Sequence, residues 1–202
     1  LIHFRRDLMI DIQKKGHEVF AISPPKDERG DPSILQKDGI QIKEVSFVRA
    51  GKNPFTDLGT SVQIFRIIKD VKPDTVFSFM IKPVIYGSIA SDFGKVKNIY
   101  SLVPGIGHVF INRSWKGKLL RFFISNLYKV AFYFNHKVFF QNDDDKNLFL
   151  SYSLLDEAKA YKVNGSGVNM NSFRRASQIP KKPIFLLAGR VIAEKGIREY
   201  VE

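Results

Sequence analysis

Hydrophobic positions along this chain follow two alternating periods. Short runs rich in Val, Ile and Phe read as strands at residues 18–23, 40–46, 75–79, 98–103, 137–141, 160–163 and 184–188, since β-branched and aromatic residues bounded by turn formers suit a pleated, buried ladder. Between them, near 32–37, 56–71, 83–93, 117–134 and 143–151, apolar residues recur at the spacing of a helix with one buried face. The chain opens helically as well: Leu8 and Ile12 share a face within 7–15, and Gly16 follows as a C-terminal cap. Strand and helix alternating with short connections predicts an α/β fold, a Rossmann-like parallel sheet with helices on both faces. A fold of this kind normally opens in a strand with a phosphate-facing loop, so the sheet is expected to lack its first, central strand.

A composition shift near the end divides the chain. Residues 174–182 are polar and basic with Pro180 and read as a linker. Residues 1–173 then form the main Rossmann-like domain, and 183–202 start a second α/β domain. In that last stretch an apolar run ends at Gly189-Arg190, and Lys195-Gly196 open a helical pattern. Such a strand-to-helix turn suits a diphosphate, because helix-start N–H groups carry partial positive charge and Arg190 and Lys195 add two full charges. Surface solvation is the plainer account of the same two residues.

The net charge of +12 changes the picture because it is uneven. From Phe93 to Asn142 the ionisable side chains other than His and Tyr are Lys95, Lys97, Arg113, Lys116, Lys118, Arg121, Lys129 and Lys137, with no Asp or Glu. Trp115, Phe122, Phe123, Tyr128, Phe132, Tyr133 and Phe134 share that stretch. A basic, aromatic surface suits anionic lipid headgroups or a nucleic acid. The absence of cysteine removes disulfides, thiolate zinc sites and Cys nucleophiles. No apolar run approaches the roughly 18–20 residues that span a bilayer.

Ligands of doubly wound sheets sit beyond the carboxyl ends of the strands, so the loops after them are where chemistry is expected. After Phe79, Lys82 faces the rim and Pro83 is expected as the first helical residue; an exposed lysine before a helix is the plain alternative. After Val103, Gly105 and Gly107 let backbone approach a ligand, and His108 supplies an imidazole near the reacting centre, unless it is simply a solvated loop histidine. His17 and His136, beside strand starts, read as structural. After Phe140, Asn142 is a helix N-cap, and Asp143, Asp144 and Asp145 complement the helix dipole, which accounts for the acidic run without a metal. After Val163, Asn164, Gly165, Ser166 and Gly167 form either a crossing toward the next domain or a plain connector. Serine-hydrolase, zinc-peptidase and P-loop motifs do not occur.

In order along the chain, His3-Phe4-Arg5 through Gly16-His17-Glu18-Val19, Ile81-Lys82-Pro83-Val84-Ile85-Tyr86-Gly87-Ser88, Gly105-Ile106-Gly107-His108-Val109-Phe110, Phe140-Gln141-Asn142-Asp143-Asp144, Asn164-Gly165-Ser166-Gly167-Val168 and Gly189-Arg190 with Glu194-Lys195-Gly196 resemble the family 4 glycosyltransferases of GT-B architecture. The likeness is to the bacterial branch that builds lipid-linked oligosaccharide, capsule or O-antigen. It implies transfer of a sugar, with retention at the anomeric carbon, from a nucleotide-sugar donor, usually UDP-linked, to a polyprenyl-diphosphate-linked acceptor. It also implies an acceptor-side first domain, a donor-side second domain, no metal or other cofactor, and a cytoplasmic enzyme on the inner face of the plasma membrane. Arg190 and Lys195 would neutralise the donor diphosphate as it leaves. Gly105, Gly107 and His108 would line the cleft beside the transferred sugar, and Lys82, Asn142, Asn164, Gly165 and Ser166 its acceptor side.

Two departures count against a complete enzyme: the first strand with its glycine loop and the Glu-x7-Glu segment of the family are not in this sequence. The chain is therefore expected to be a fragment, inactive alone. A basic α/β nucleic-acid-binding module, though without a recognisable binding motif, and a non-catalytic Rossmann-like binding module are the competing expectations.

Overall fold

The computed structural model describes residues 2–25, 31–46, 54–107, 110, 114–170, 182–189, 191 and 196–201. The chain divides into two compact units, Leu1–Ser166 and Gly167–Glu202, and the division falls inside the 164–169 loop. Along the first unit run α1 (Ile2–Lys14), β1 (Phe20–Ser23), a 3₁₀ helix (Pro32–Asp38), β2 (Gln41–Glu44), α2 (Pro54–Val71), β3 (Thr75–Phe79) and α3 (Ile81–Phe93). Then follow β4 (Asn98–Val103), α4 (Trp115–Phe134), β5 (Lys137–Phe140), α5 (Asp143–Ser151) and β6 (Ala160–Lys162).

Two helix starts differ from the sequence pattern. α1 begins earlier than the Leu8/Ile12 periodicity suggests, and in the added part Arg6 donates to Asp38 through Nε and Nη2 at 2.7 and 2.8 Å. It stops as expected at Gly16, whose φ is 88° and whose N–H bonds the Gln13 carbonyl at 2.8 Å. α3 begins at Ile81, two residues before Pro83. Proline fits there because N–H groups of the first turn have no intrahelical acceptor to lose.

Every ladder is parallel, but the strands form two sheets among the described residues: β1–β2, and β3-β4-β5-β6 in that order. In the doubly wound order, two such ladders flank one central strand position. Met9 of α1 packs with Ala21, Leu35 and Ile40, and Ile64 and Ile68 of α2 pack with Ile22, Val45, Ala90 and Ile99, so helices cover the small sheet on both sides.

The larger sheet is two-faced. Successive side chains point to opposite faces. Val103, Val138, Phe140 and Ala160 are buried with Val84 and Ile85 of α3, Tyr128 and Phe132 of α4 and Phe149 of α5. α3 reaches this close because residue 87 is glycine: a Cβ there would lie 2.5 Å from Ser78 Oγ. The opposite face carries a row of rings, with Phe139 centred 5.8 Å from Phe77, 6.3 Å from Tyr100 and 6.1 Å from Tyr161, and these rings are only partly buried.

In the second unit the strand expected at 184–188 is not formed. Ile184, Phe185 and Leu186 are 74–84% exposed. A strand exists by pairing its N–H and C=O groups with a neighbour, and no strand among the described residues pairs with this run. The unit's helix is α6 (Ile197–Val201), whose Tyr200 hydroxyl donates to the Phe185 carbonyl at 2.8 Å.

Candidate functional site at the carboxyl ends of the strands

Because β3 to β6 are parallel, Phe79, Val103, Phe140 and Lys162 end on the same edge of the sheet, and the loops that follow share it. His108, Arg190 and Lys195 lie outside the described residues; the other expected site residues can each be placed.

Lys82 is anchored across helices. Its Nζ lies 2.7 Å from Asp57 Oδ1 of α2, with both side chains largely buried, while the Tyr86 hydroxyl donates to Asp57 Oδ2 at 2.8 Å. Burial first, and the Asp57 carboxylate second, push the Tyr86 phenol well above its ordinary value. Asp57 thus clamps the start of α3 to α2. Just before it, Met80 takes φ 73° and is 64% exposed, an uncommon and strained conformation for a side chain of this length.

The two glycines after β4 differ. Gly107 has φ 70°, and a Cβ on it would meet Ile81 Cδ1 at 2.8 Å, so glycine is required there for the loop to pack on α3. Nothing lies within 4 Å of a Cβ built on Gly105, which leaves room over that residue. Asn142 is the N-cap of α5. Its Oδ1 accepts from the Asp145 N–H at 2.7 Å and its Nδ2 donates to the Asp145 carboxylate at 2.9 Å. Asp143 pairs with Lys162 at 2.6 Å. These contacts give the acidic run a structural cause, and no metal-binding group of His, Cys, Asp or Glu occurs among the described residues. His136 is structural: its backbone N–H donates to the Ile99 carbonyl at 2.8 Å and its Nδ1 accepts from the Ile99 N–H at 3.2 Å.

Of the 164–166 group, Asn164 and Gly165 are exposed, and Ser166 is the one that gathers partners. Its Oγ accepts from Arg5 Nη1 at 2.9 Å and from Gln141 Nε2 at 3.4 Å. The Arg5 Cζ sits 4.7 Å from the centroid of the Phe79 ring. Arg5 and Gln141 fall inside motifs that carry the resemblance and Phe79 ends a predicted strand, but the sequence assigned none of the three a place in the site. A hollow of about 560 Å³, lined by Lys129, Phe132, Tyr133 and Leu154 among others, lies away from this edge, beside the end of α4. Lys159 there donates to the Phe132 and Tyr133 carbonyls at 3.3 and 2.8 Å, closing the end of that helix.

The chain is 29% identical over 215 aligned residues to the N,N'-diacetylbacillosaminyl-diphospho-undecaprenol alpha-1,3-N-acetylgalactosaminyltransferase of Campylobacter jejuni, covering all of this chain and 56% of that relative. The chain therefore spans little more than half of the relative's length. Among solved structures it is similar to a glycosyltransferase from Rickettsia africae, with a TM-score of 0.57 and 22% identity over 96% of this chain and 44% of that one. It is also similar to a UDP-N-acetylglucosamine 2-epimerase from Rickettsia bellii, with a TM-score of 0.52 and 12% identity over 81% of this chain and 42% of that one. Both likenesses support the parallel α/β architecture. The Glycosyl transferase 4-like family model matches residues 2–142, and the chain belongs to that family.

Proposed function

We propose that this chain is the acceptor-side part of a retaining glycosyltransferase that moves a sugar from a nucleotide-sugar, most simply a UDP-sugar, to a polyprenyl-diphosphate-linked acceptor in bacterial surface glycan assembly. The observation that carries the proposal is the alignment of the whole chain with an enzyme named for transfer of a sugar to a diphospho-undecaprenol-linked acceptor. Family membership agrees with it. Within this reading His108 stands beside the transferred sugar, and Arg190 and Lys195 neutralise the donor diphosphate as the glycosidic bond to it breaks. Two fixed cations aimed at developing negative charge provide electrostatic transition-state stabilisation, so no metal is assigned to the step.

The reading places the enzyme in the cytoplasm on the inner leaflet, and α4 supports that placement. Ser114 caps the helix by accepting from the Gly117 N–H at 3.0 Å. Gly117, Tyr128, Ala131 and Phe132 are buried, while Trp115, Leu119, Phe122, Phe123, Val130 and Tyr133 are exposed among Lys116, Lys118 and Lys129. No described helix is long and apolar enough to cross a membrane. Large apolar side chains facing outward between cations suit the interface of an anionic bilayer, where each cation contributes about 1 kcal/mol near the surface.

The test is product analysis of the complete gene product, supplied with a panel of UDP-sugars and a prenyl-diphosphate-linked sugar. The acceptor should gain one sugar with the donor's anomeric configuration. Co-sedimentation with anionic vesicles at low salt checks the membrane part, and the double substitution Phe122→Ser, Phe123→Ser should weaken it by about tenfold or more, the loss of two apolar insertions. Binding to oligonucleotide in place of vesicles would favour the nucleic-acid module.

A further inference from the structure

Arg5 and Arg6 are neighbours in the first turns of α1 and are used differently. Arg6 turns Nε and Nη2 onto the Asp38 carboxylate. Arg5 uses only Nη1, toward Ser166 Oγ at 2.9 Å and the Phe4 carbonyl at 3.3 Å, while its guanidinium lies over the Phe79 ring. Among the described residues neither its Nε nor its Nη2 has a hydrogen-bond acceptor, and no carboxylate pairs with it. The nearby cations differ: Lys82 and Lys162 each stand in an ion pair. Partial burial pulls the Arg5 guanidinium below its ordinary value, yet an arginine keeps its charge in a protein. The fold therefore holds a partly desolvated positive charge with three of its five N–H donors, one on Nε and two on Nη2, unused, at the sheet edge where ligands of this fold class bind.

The free fork is also held in place. The aromatic shelf attracts the cation, and Ser166, itself steadied by Gln141 at 3.4 Å, holds the Nη1 edge of the guanidinium. Immobilisation before binding lowers the entropy lost on binding. Parallel N–H groups on a planar guanidinium match two oxygens of one phosphoryl group.

We infer that Arg5 is a diphosphate-binding residue, whose Nε and Nη2 take phosphoryl oxygens of a substrate lying across the carboxyl ends of β3, β5 and β6. Naming a diphosphate rests on the function proposed above, in which donor and acceptor each carry one.

The experiment is titration calorimetry of the complete gene product, and of its Arg5→Met, Arg5→Lys and Lys14→Met variants, with UDP and with farnesyl diphosphate. Arg5→Met should lose about tenfold or more in affinity for at least one ligand, the scale of a hydrogen bond to a charged group. Arg5→Lys, which keeps the charge without the fork, should fall between, and Lys14→Met at the far end of α1 should match the native chain. A loss confined to farnesyl diphosphate assigns the site to the acceptor, and one confined to UDP assigns it to the donor. Should Arg5→Met fail to fold, the Arg5 Nε–H resonance of the native chain is followed instead, and it should shift on addition of one of the two ligands. Equal affinities across the variants, or an Nε–H resonance that neither ligand moves, would overturn the inference. Diphosphate binding through Arg5 in a protein that transfers no sugar would leave this site standing and remove the glycosyltransferase reading; transfer unaffected by Arg5→Met would do the reverse.

Discussion

Two apolar runs of the same kind meet opposite fates in this molecule. Lys137–Phe140 becomes β5, with Val138 and Phe140 at 0% exposure. Residues 184–188, as apolar and as suited to a strand, form none, and Phe185 and Leu186 are 82% and 84% exposed. The difference lies outside the runs. β5 has β4 and β6 on either side and α3, α4 and α5 over one face, whereas 184–188 has no strand beside it among the described residues. β propensity is a statement about fitting a half-buried pleated surface, and it is realised only where that surface is supplied.

The contrast is broken most directly by truncation. Phe140→Ala should cost the first unit about 3–5 kcal/mol, the usual range for a buried phenylalanine, while Leu186→Ala should stay within about 0.5 kcal/mol, as exposed substitutions do. Urea unfolding of the two variants measures both, and equal losses would mean that Leu186 is buried in solution. The same logic applies within one loop. Gly107→Ala faces a left-handed backbone and a contact with Ile81 and should cost about 1–3 kcal/mol, while Gly105→Ala should cost far less because its space is open.

Smaller effects sharpen the picture of α5 and α1. Asn142→Ala removes the cap of α5 and should cost about 1 kcal/mol, and Asn142→Asp, which keeps an acceptor for the Asp145 N–H, should recover part of it; thermal melts compare the three. The least effect is expected from acid. The Arg6 hydrogen bonds hold the Asp38 carboxyl below its usual range. The stability this pair gives is therefore present above the unfolded value of about 3.9 and is lost as pH falls through the lower folded value. Asp38→Asn should flatten the pH dependence of stability in that acid window and leave neutral stability only slightly lower, since exposed pairs contribute little.

The same contrast explains how far the sequence could be read. The six paired strands and their helices follow from periodicity because each run buries its own face locally, and Gly16 and Asn142 announce their caps by residue type. The split into two sheets follows from the central strand that the sequence was expected to lack, since pairing between β1 and β3 depends on what lies between them. At the site, glycines and loop histidines draw the eye because their residue types are suggestive. Yet Gly107 serves packing, Lys82 is tied to Asp57, and the side chain that gathers Ser166 and Phe79 is Arg5, more than seventy positions from either. Such convergence is set by the packing of α1 on the sheet edge, and no local pattern encodes it.

Sugar transfer by the complete gene product to a prenyl-diphosphate-linked acceptor, read by mass spectrometry and by the anomeric coupling of the new linkage, is the most direct test of the proposed function. The prediction is an acceptor heavier by one sugar, joined with retained configuration. A UDP-sugar that is bound or consumed while the acceptor's mass stays the same, across the whole donor panel, would contradict it.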